Sequence, residues 1–521
     1  MGAPGKLLFL LHAHLPFVRH PDHERFLEEN WLFEAISETY LPLVQVLSRL
    51  LEKGVPGTIN LSVSPPLLEM LSDPLLIERY SKHLIKQLDL IEKELIRFEG
   101  DPEKLPVIRF YHSRQKALIH TWEQGCHRDL LSAFKLLEES KILTILTCVG
   151  THPFLPAYQS DPDSIRLQLQ VTSRCYEEAF GKKPKGVWLP ECGYFDGLDS
   201  LLAEYGFEYF FLETHGVLLA NPPPKFGVFA PMKTPSGLYC IGREQSSSVE
   251  VWSRKSGYPG HPEYREFFRD IAFERERKYL GEYFFAGETP IETGLKYYRI
   301  TGGEQKMIYR PWNAMHLTED HARLFISNRE ATFSDLLPHM EGSNACILCP
   351  YDAELFGHWW FEGPLFIEAL FEKAASSPWL EMASVESVSA SIDDSIHRPV
   401  FSSWGEGGFS SVWMNDEVQD AYPRFFKMKS LYNHLRSLKK TKRLHRILSQ
   451  MAREIMLFQS SDWAFMIHNR SAEGYAKSRL DEHYKNVLSL YDLALSKKSD
   501  LEELDRLEKK HNLFPWIGEL L

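Results

Sequence analysis

Short apolar runs alternate with longer amphipathic stretches along most of the chain. Strands that are buried on both faces, as in a parallel sheet, read as continuous apolar runs. The sequence therefore predicts β-strands over residues 6–11, 58–63, 143–149, 187–189, 209–212, 238–243, 296–301 and 345–349. The stretches between them predict helices over residues 35–53, 164–180, 197–205, 264–279 and 318–337. Alternating strands and helices indicate an α/β protein with a parallel sheet.

One region between the second and third predicted strands departs from this alternation. Residues 67–99 and 108–139 are long and amphipathic, with charges at helical spacing. Only one helix is expected between two neighbouring strands of a barrel. These residues therefore predict a helical insert at about 71–130.

The pattern changes again beyond residue 399. A glycine-rich aromatic loop is followed by amphipathic stretches that predict helices over residues 420–449, 451–458 and 479–508. We expect a barrel of residues 1–399, interrupted by the insert, and an all-α C-terminal domain of residues 400–521. The polar interruptions between these helices are expected to reach back over the barrel and contribute to its cleft.

Polar residues follow several of the predicted strands at the point where each strand ends. His12 and His14 follow the first strand, His152 follows the third, Glu191 the fourth and His215 the fifth. The carboxyl ends of parallel barrel strands meet at one face, where catalytic groups stand. The repetition predicts a parallel barrel with a single functional face.

The composition is that of an ordinary globular protein, with 44% hydrophobic and 25% charged residues among 521. A formal net charge of −12 argues against a nucleic-acid partner and suits a neutral ligand. No apolar run approaches about 18 residues, so no membrane span is predicted. The apolar run at residues 7–11 is too short for a signal peptide, and a cytoplasmic protein is expected.

The seven cysteines are scattered, so no disulfide framework is predicted. Cys346 and Cys349 form a C-x-x-C pair without a second pair to complete a metal site. They lie on a predicted strand, where positions i and i+3 point to opposite faces.

Two acidic residues follow predicted strands that end at a proline. Glu191 follows Pro190 in GVWLPECGY, and Asp352 lies two residues after Pro350 in ACILCPYDAELFGHWWFEG. Each proline is expected to end its strand, which leaves the acid in a loop on the functional face. Two such acids beside tryptophans are the minimum equipment for cleaving a glycosidic bond. The alternatives are a loop glutamate that faces water and an aspartate that caps the next helix.

A retaining mechanism would place the two carboxyl groups about 5–5.5 Å apart. One of the two acids would attack the anomeric carbon as a carboxylate, and the other would protonate the leaving oxygen. The acid that gives the proton would need a raised pKa, which burial and the nearby charge of the other acid would provide.

Two other classes of function stay open from the residues alone. His12 and His14 on one strand, with His152 and an aspartate, could hold zinc in a metal-dependent carbohydrate hydrolase or deacetylase. The 12 tryptophans could instead serve a non-catalytic protein that binds glucan through their faces.

Four motifs resemble those of the glycoside hydrolase family 57 α-glucan enzymes. They are HAHLPF at 12–17, WLPECGY at 188–194, YDAELFGHWWFEG at 351–363 and QSSDWAF at 459–465. The resemblance covers essentially the whole chain. It is strongest to the subgroup of 1,4-α-glucan branching enzymes, which also contains α-amylases of the AmyC type.

The resemblance implies an incomplete (β/α)7 barrel with a helical insert and an all-α C-terminal domain. It implies a retaining enzyme that needs no cofactor or metal, with Glu191 as nucleophile and Asp352 as general acid/base. The substrate would be an α-1,4-glucan such as amylose or a glycogen-like polymer, and the protein a monomer or weak homo-oligomer. The cleft residues implied are His12, His14, Trp31 and His152, and the glucan contacts are Arg243, Trp252, Gly260, Trp404, Trp413, Asp462 and Ser471.

Two departures from the family pattern stand out. Ser471 occupies a position where many branching members have glutamine. Branching members also carry a long lid loop with a tyrosine between the nucleophile strand and the Arg243 position. Here the interval is short, and its only tyrosine after the proline-rich run is Tyr239. A short lid shields the intermediate less from water, which favours hydrolysis as the alternative to branching.

Overall fold

Nine strands form one curled sheet in a computed structural model that describes residues 5–253, 256–285, 289–303, 305–340, 345–388, 395–496 and 501–521. The strands of the described chain are β1 Gly5–Ala13, β2 Ile59–Val63, β3 Leu143–Cys148, β4 Gly186–Trp188, β5 Tyr209–Leu212, β6 Met232–Lys233, β7 Tyr239–Gly242, β8 Phe284–Phe285, β9 Thr289–Pro290, β10 Cys346–Asp352 and β11 Leu380–Met382. Strands β8 and β9 form a separate antiparallel pair.

The sheet runs in the order β10-β1-β2-β3-β4-β5-β7-β6, and β11 pairs with the start of β1. All neighbours are parallel except β6 and β7, so seven consecutive strands form a parallel run. A single bridge between Arg243 and Leu348 brings the two ends of this run together. The predicted incomplete (β/α)7 barrel is therefore confirmed.

Helices surround the sheet and form the C-terminal region. In the described residues they are α1 Glu29–Ala35, α2 Leu41–Glu52, α3 Pro65–Ser72, α4 Pro74–Arg97, α5 Lys104–His120, α6 Leu130–Glu139, α7 Pro162–Phe180, α8 Leu198–Glu204, α9 Thr214–Leu218, α10 Gln245–Trp252, α11 Arg277–Leu280, α12 Pro311–Leu336, α13 Gly363–Ala374, α14 Ala421–Arg436, α15 Lys442–Phe458, α16 Ser461–Asn469, α17 Glu473–Leu495 and α18 Glu502–Lys510. No helix among the described residues is both long and apolar enough to cross a membrane.

The two long helices α4 and α5 pack together between β2 and β3, where the sequence predicts an insert. Residues 264–285, 289–303 and 305–309, which contain few regular elements, lie over these two helices. Tyr111 on α5 donates to the carbonyl of Lys296 at 2.8 Å, and Tyr297 donates to Glu94 on α4 at 2.6 Å. These contacts fasten α4 and α5 to the loops that follow β7.

The helix predicted over 264–279 is wrong. Asp270 accepts hydrogen bonds from the backbone of Ala272, Thr293 and Gly294, and the amide of Ile271 donates to Leu295. The bonds to Thr293, Gly294 and Leu295 are long-range and take the place of helical ones. Only α11 and one short 3₁₀ turn form.

The strand predicted over 296–301 is also wrong. Its residues make only isolated bridges, such as the one between Tyr298 and Ile308. The helix predicted over 420–449 is divided into α14 and α15. Thr441 ends the interruption by accepting from the amide of Leu444 at 3.1 Å, as an N-cap does.

Proline has a different effect in the two acidic motifs. β4 ends before Pro190, as predicted, but β10 continues through Pro350 to Asp352. Beyond Leu348, β10 is no longer paired on the side that faces β7. Proline has no N–H, but at Pro350 its absence breaks no hydrogen bond between strands. The continued strand sets Asp352 directly beside His12 of β1. The expectation that Pro350 leaves Asp352 in a loop is therefore wrong.

Candidate active site

A cavity of about 990 Å³ opens at the carboxyl ends of the parallel strands. It is lined by every site residue that the family resemblance implies, with one exception. These residues are His12, His14, Trp31, His152, Glu191, Arg243, Trp252, Asp352, Trp404, Trp413, Asp462 and Ser471. The exception is Gly260, which lies exposed in the turn Tyr258–Gly260 and is not part of the lining.

Glu191 lies in a tight turn directly after β4, with a positive φ of 59°. A left-handed backbone is unusual for a residue with a side chain and costs free energy that the surroundings must offset. Two backbone hydrogen bonds offset this cost. Trp404 donates to the carbonyl of Glu191 at 2.9 Å, and Tyr194 donates to that of Ser402 at 2.9 Å. The loop that starts near residue 402 thus fixes the turn that carries Glu191.

Both oxygens of the Glu191 carboxyl accept hydrogen bonds. Trp404 Nε1 donates to Oε2 at 2.7 Å, and Ser461 Oγ donates to Oε1 at 2.7 Å. Burial raises the pKa of Glu191, and these two donors lower it, with a resulting pKa of about 7. The donors stabilise the ionised carboxylate in a site that otherwise disfavours charge.

A chain of hydrogen bonds leads from Ser461 back to the first strand. Ser461 gives its hydrogen to Glu191, so its oxygen accepts from His152 Nδ1 at 2.8 Å. His152 Nε2 is then free to accept from His12 Nε2, 3.0 Å away. Burial lowers the pKa of both His12 and His152 well below the usual value, so both rings are neutral, as this chain requires.

Asp462 lies beside this chain and pairs with His14. His14 Nε2 lies 3.0 Å from Asp462 Oδ2, and Ser460 also donates to that oxygen. Burial would raise the pKa of Asp462, but the charge and hydrogen bond of His14 outweigh it and lower the pKa to about 2. Asp462 is therefore ionised, and the ring of His14 stacks on His152 with centroids 3.7 Å apart.

Asp352 has a different environment from Glu191. Burial raises its pKa well above the usual value, and the charges of Glu354 and Glu191 raise it further. Arg243, whose guanidinium pairs with Glu213 at 2.8 Å, acts in the opposite direction. Within the part of the chain that the structure describes, no side chain or backbone group donates a hydrogen bond to the Asp352 carboxyl. The protonated form of Asp352 is therefore favoured.

Three further side chains belong to the site but were not predicted. Ser461, Glu354 and Tyr40 lie close to the acids: Tyr40 donates to Glu354, and Glu354 lines the cavity. Burial raises the pKa of Glu354 to about 7. Ser461 lies inside the motif at 459–465, and Glu354 lies inside the motif at 351–363 that carries Asp352, which was the available signal. Nothing in the sequence marks Tyr40, because its contact is made between distant elements.

Aromatic side chains form much of the cavity wall. Trp413 stacks on Phe154 with centroids 5.1 Å apart, and Trp359, which is 53% exposed, stacks on Phe267 at 4.2 Å. The interval between Glu191 and Arg243 contributes no residue to the lining. It forms α8, α9 and the β6–β7 hairpin instead, with Tyr239 in β7. The wall above Glu191 comes from residues 404–413.

Among the described residues, three groups of side chains have the composition of a metal site. Glu454, His483 and His511 form one of them in the C-terminal region. The two groups at the active site are His12, Cys148 and His152, and His14, His152 and Asp462. Their ring nitrogens already have partners, since His12 and His152 bond to each other and His14 bonds to Asp462. The arrangement satisfies these groups as a hydrogen-bonded network, without requiring an ion.

Two family models match the chain. The model of glycosyl hydrolase family 57 matches residues 8–395, and the model of the 1,4-alpha-glucan branching enzyme C-terminal region matches residues 425–519. Among curated proteins, the chain is 30% identical to the 1,4-alpha-glucan branching enzyme TK1436 of Thermococcus kodakarensis. That match covers 99% of this chain and 79% of the relative.

Two solved structures are similar over nearly their whole length. The alpha-amylase AmyC from Thermotoga maritima is 38% identical with a TM-score of 0.90, covering 99% of this chain and 98% of that one. The GH57-type branching enzyme from Pyrococcus horikoshii is 30% identical with a TM-score of 0.86, covering 98% and 96%. The extent of the family match shows that this chain belongs to glycosyl hydrolase family 57.

Proposed function

We propose that the protein is a retaining 1,4-α-glucan branching enzyme, which transfers a glucan segment from an α-1,4 linkage to a 6-hydroxyl. The observation that carries the proposal is the unequal environment of two buried acids in one cavity. Glu191 accepts from two donors, whereas Asp352 accepts from none in the described chain and lies near other carboxylates. Acids with such different surroundings take different roles in glycoside chemistry.

Glu191 would act as the nucleophile. Trp404 and Ser461 hold its carboxylate in place and favour its charge, so it can attack the anomeric carbon and form a glycosyl ester. With a pKa of about 7, Glu191 is ionised in a substantial fraction of molecules at neutral pH. The strained turn after β4 keeps the carboxylate at the cavity surface.

Asp352 would act as general acid and then as general base. Its raised pKa keeps a proton available for the leaving oxygen. Once the leaving chain departs, the Asp352 carboxylate can accept the proton of an incoming hydroxyl. That second step regenerates the starting protonation state.

The substrate would be an α-1,4-glucan such as amylose or a glycogen-like polymer. Trp31, Trp252, Trp404 and Trp413 give the cavity apolar faces, and His14, Arg243 and Asp462 give it polar groups. Mostly apolar walls with a few fixed polar groups suit a neutral sugar chain. The branching enzymes among the relatives support this assignment.

Domain division, location and assembly are part of the same proposal. We propose a barrel of residues 1–399 with an insert at 71–130, and a C-terminal domain of residues 400–521 that supplies Trp404 and Ser461 to the site. Seven free cysteines, all buried, fit a reducing compartment, in support of a cytoplasmic enzyme. A monomer or weak homo-oligomer is proposed.

Hydrolysis is the second candidate, because both reactions share every step up to the glycosyl ester. It is favoured by the 38% identity to the alpha-amylase AmyC and by the interval from Glu191 to Arg243, which does not cover the cavity. In that case water takes the place of the acceptor hydroxyl.

The test is incubation of the purified protein with amylose, with reducing ends counted before and after enzymatic debranching. Branching predicts few new reducing ends before debranching and many after it. A rise in reducing ends without α-1,6 linkages would replace the branching proposal by hydrolysis. The Glu191→Gln variant serves as the control, and activity retained in it would overturn the assignment of the nucleophile.

A further inference from the structure

A second groove of about 840 Å³ adjoins the catalytic cavity. It is built by the end of β5 with α9, by α10, and by the loop at residues 403–409. Arg243, Trp252, Trp404 and Gly405 line both the groove and the cavity, so these residues form the wall between them. The volume lies within the range of ligand sites, about 300–1,000 Å³.

The lining of this groove includes several exposed apolar side chains. Phe409 is 57% exposed and Leu219 60% exposed, and Leu218, Val249 and Trp252 are also exposed. Glu213, Gln245 and Ser248 are interspersed among them. Contiguous exposed apolar patches on a soluble protein mark binding surfaces. Apolar faces beside hydrogen-bonding groups match the two kinds of surface that a pyranose ring presents.

The groove is held in shape by the contact between α9 and the glycine-rich loop. His215 Nε2 lies 2.7 Å from the carbonyl oxygen of Gly408, and its ring packs against Phe409 with centroids 4.7 Å apart. Gly408 has a φ of +70°, and a Cβ there would lie 2.7 Å from the His215 ring. Only glycine permits this close approach. Phe409 is thereby presented on a fixed support.

We propose that this groove binds a second α-1,4-glucan chain, the acceptor of the transfer reaction. The inference rests on the proposed function and adds to it the place of the acceptor. A chain bound against Phe409 and Leu219 would reach the cavity past Arg243 and Trp404. Arg243 is close enough to Asp352 to act on its charge, and Trp404 bonds to Glu191. The groove therefore leads to both reacting groups.

The transfer step balances with these groups alone. The acceptor 6-oxygen forms a bond to the anomeric carbon while the ester bond from that carbon to Glu191 breaks. The 6-hydroxyl proton moves to the Asp352 carboxylate, and Glu191 leaves as a carboxylate. A chain that fills the groove would also displace water from the approach to the ester.

The test uses two surface variants in the full-length protein, Phe409→Ala and Leu219→Asn. The ratio of branches formed to chains hydrolysed should fall about tenfold in Phe409→Ala, which corresponds to about 1.4 kcal/mol. The ratio should recover as the acceptor concentration is raised. Phe273→Ala is the matched control, since Phe273 is 58% exposed and lines neither the groove nor the cavity. An equal fall in the control, or no fall in either groove variant, would overturn the proposal.

A binding measurement separates failure of this inference from failure of the proposed function. Maltoheptaose is titrated calorimetrically into Glu191→Gln, alone and combined with Phe409→Ala. Two binding events, one of them lost with Phe409→Ala, support the groove. An unchanged titration contradicts it, whatever the wild-type activity. Absence of any branching by the wild-type protein would instead overturn the proposed function and the acceptor role with it.

Discussion

Trp404 Nε1 donates to Glu191 Oε2 at 2.7 Å, across 213 positions of sequence. Ser461, which begins α16, donates to the other oxygen of the same carboxyl. The barrel strand supplies the acid, and the region beyond residue 399 supplies both groups that hold it. The carboxylate is therefore fully positioned only when the C-terminal helices pack on the barrel.

Removal of one donor should move the acidic limb of the activity profile. Ser461 favours the ionised form of Glu191, so Ser461→Ala should raise the pKa of Glu191 above about 7. The acidic limb of kcat/KM, which reports ionisation of the nucleophile, should then shift to higher pH by about one unit, as expected for a hydrogen bond to a charged group. Profiles of kcat/KM against pH give the measurement.

The control is Ser471→Ala, because Ser471 lines the same cavity and has no bond to Glu191. Its acidic limb should coincide with that of the wild type. An unshifted limb in Ser461→Ala would show that the hydrogen bond does not tune the nucleophile.

The barrel and the positions of its two acids could be predicted from the sequence, because they depend on local patterns and on the arrangement of whole strands. Apolar runs locate the strands, and the parallel arrangement brings Glu191 and Asp352 to one face. The donors to Glu191 are different, because Trp404 and Ser461 reach the site only through tertiary packing. Sequence motifs are the only signal from which their positions in the site could be predicted.

The wrong predictions have the same origin. The segment 264–279 has a helical pattern, but the buried carboxyl of Asp270 gathers backbone donors from Ala272, Thr293 and Gly294. Thr293 and Gly294 lie more than 20 residues from Asp270, so no local pattern reveals these two donors. Pro350 stays within β10 because it lies on an open edge, which is a property of the sheet and not of the sequence window.

Loss of the nucleophile should nearly abolish activity. Glu191→Gln keeps both donors near the side chain but cannot form the glycosyl ester, so kcat should fall by at least about a thousandfold. Glu191→Gly with azide should yield the β-glycosyl azide, because azide then attacks from the vacated side. Product stereochemistry by NMR is decisive, and an α-azide would assign Glu191 to the acid/base role instead.

Loss of the acid/base should depend on the leaving group. Asp352→Asn should slow the cleavage of amylose by about 10²–10⁴-fold, because the leaving sugar needs a proton. An activated aryl maltoside needs little protonation, so its first step should be slowed much less. Burst kinetics of aryl release measure that step. Equal losses with both substrates would contradict the assigned role of Asp352.

Metal removal should leave the activity unchanged. Glu191 and Asp352 supply the chemistry, and the nitrogens of His12 and His152 are bonded to each other. Activity after dialysis against EDTA, together with the zinc content by mass spectrometry, gives the test. Stoichiometric zinc whose removal abolishes activity would favour the metal-dependent alternative.

The buried Glu454 on α15 should matter for stability and not for chemistry. Its two oxygens bond to His511 Nδ1 at 2.8 Å and to His483 Nδ1 at 2.7 Å, which joins α15 to α17 and to the end of α18. Burial opposes its charge, but His511 and His483 outweigh burial and lower the pKa of Glu454 well below its usual value. Glu454→Ala removes these bonds and leaves two buried imidazoles without their acceptor.

The free energy of unfolding should fall by about 3–5 kcal/mol in Glu454→Ala, measured by urea denaturation at neutral pH. A depressed pKa stabilises the fold above the unfolded pKa of about 4.3. The difference between wild type and variant should therefore be complete at neutral pH and shrink as the pH falls through the folded pKa. Glu473→Ala on the exposed start of α17, whose partner is Lys477, should leave the free energy of unfolding nearly unchanged, because water screens this ion pair. If the two variants lose equal stability, the buried network does not hold the C-terminal helices together.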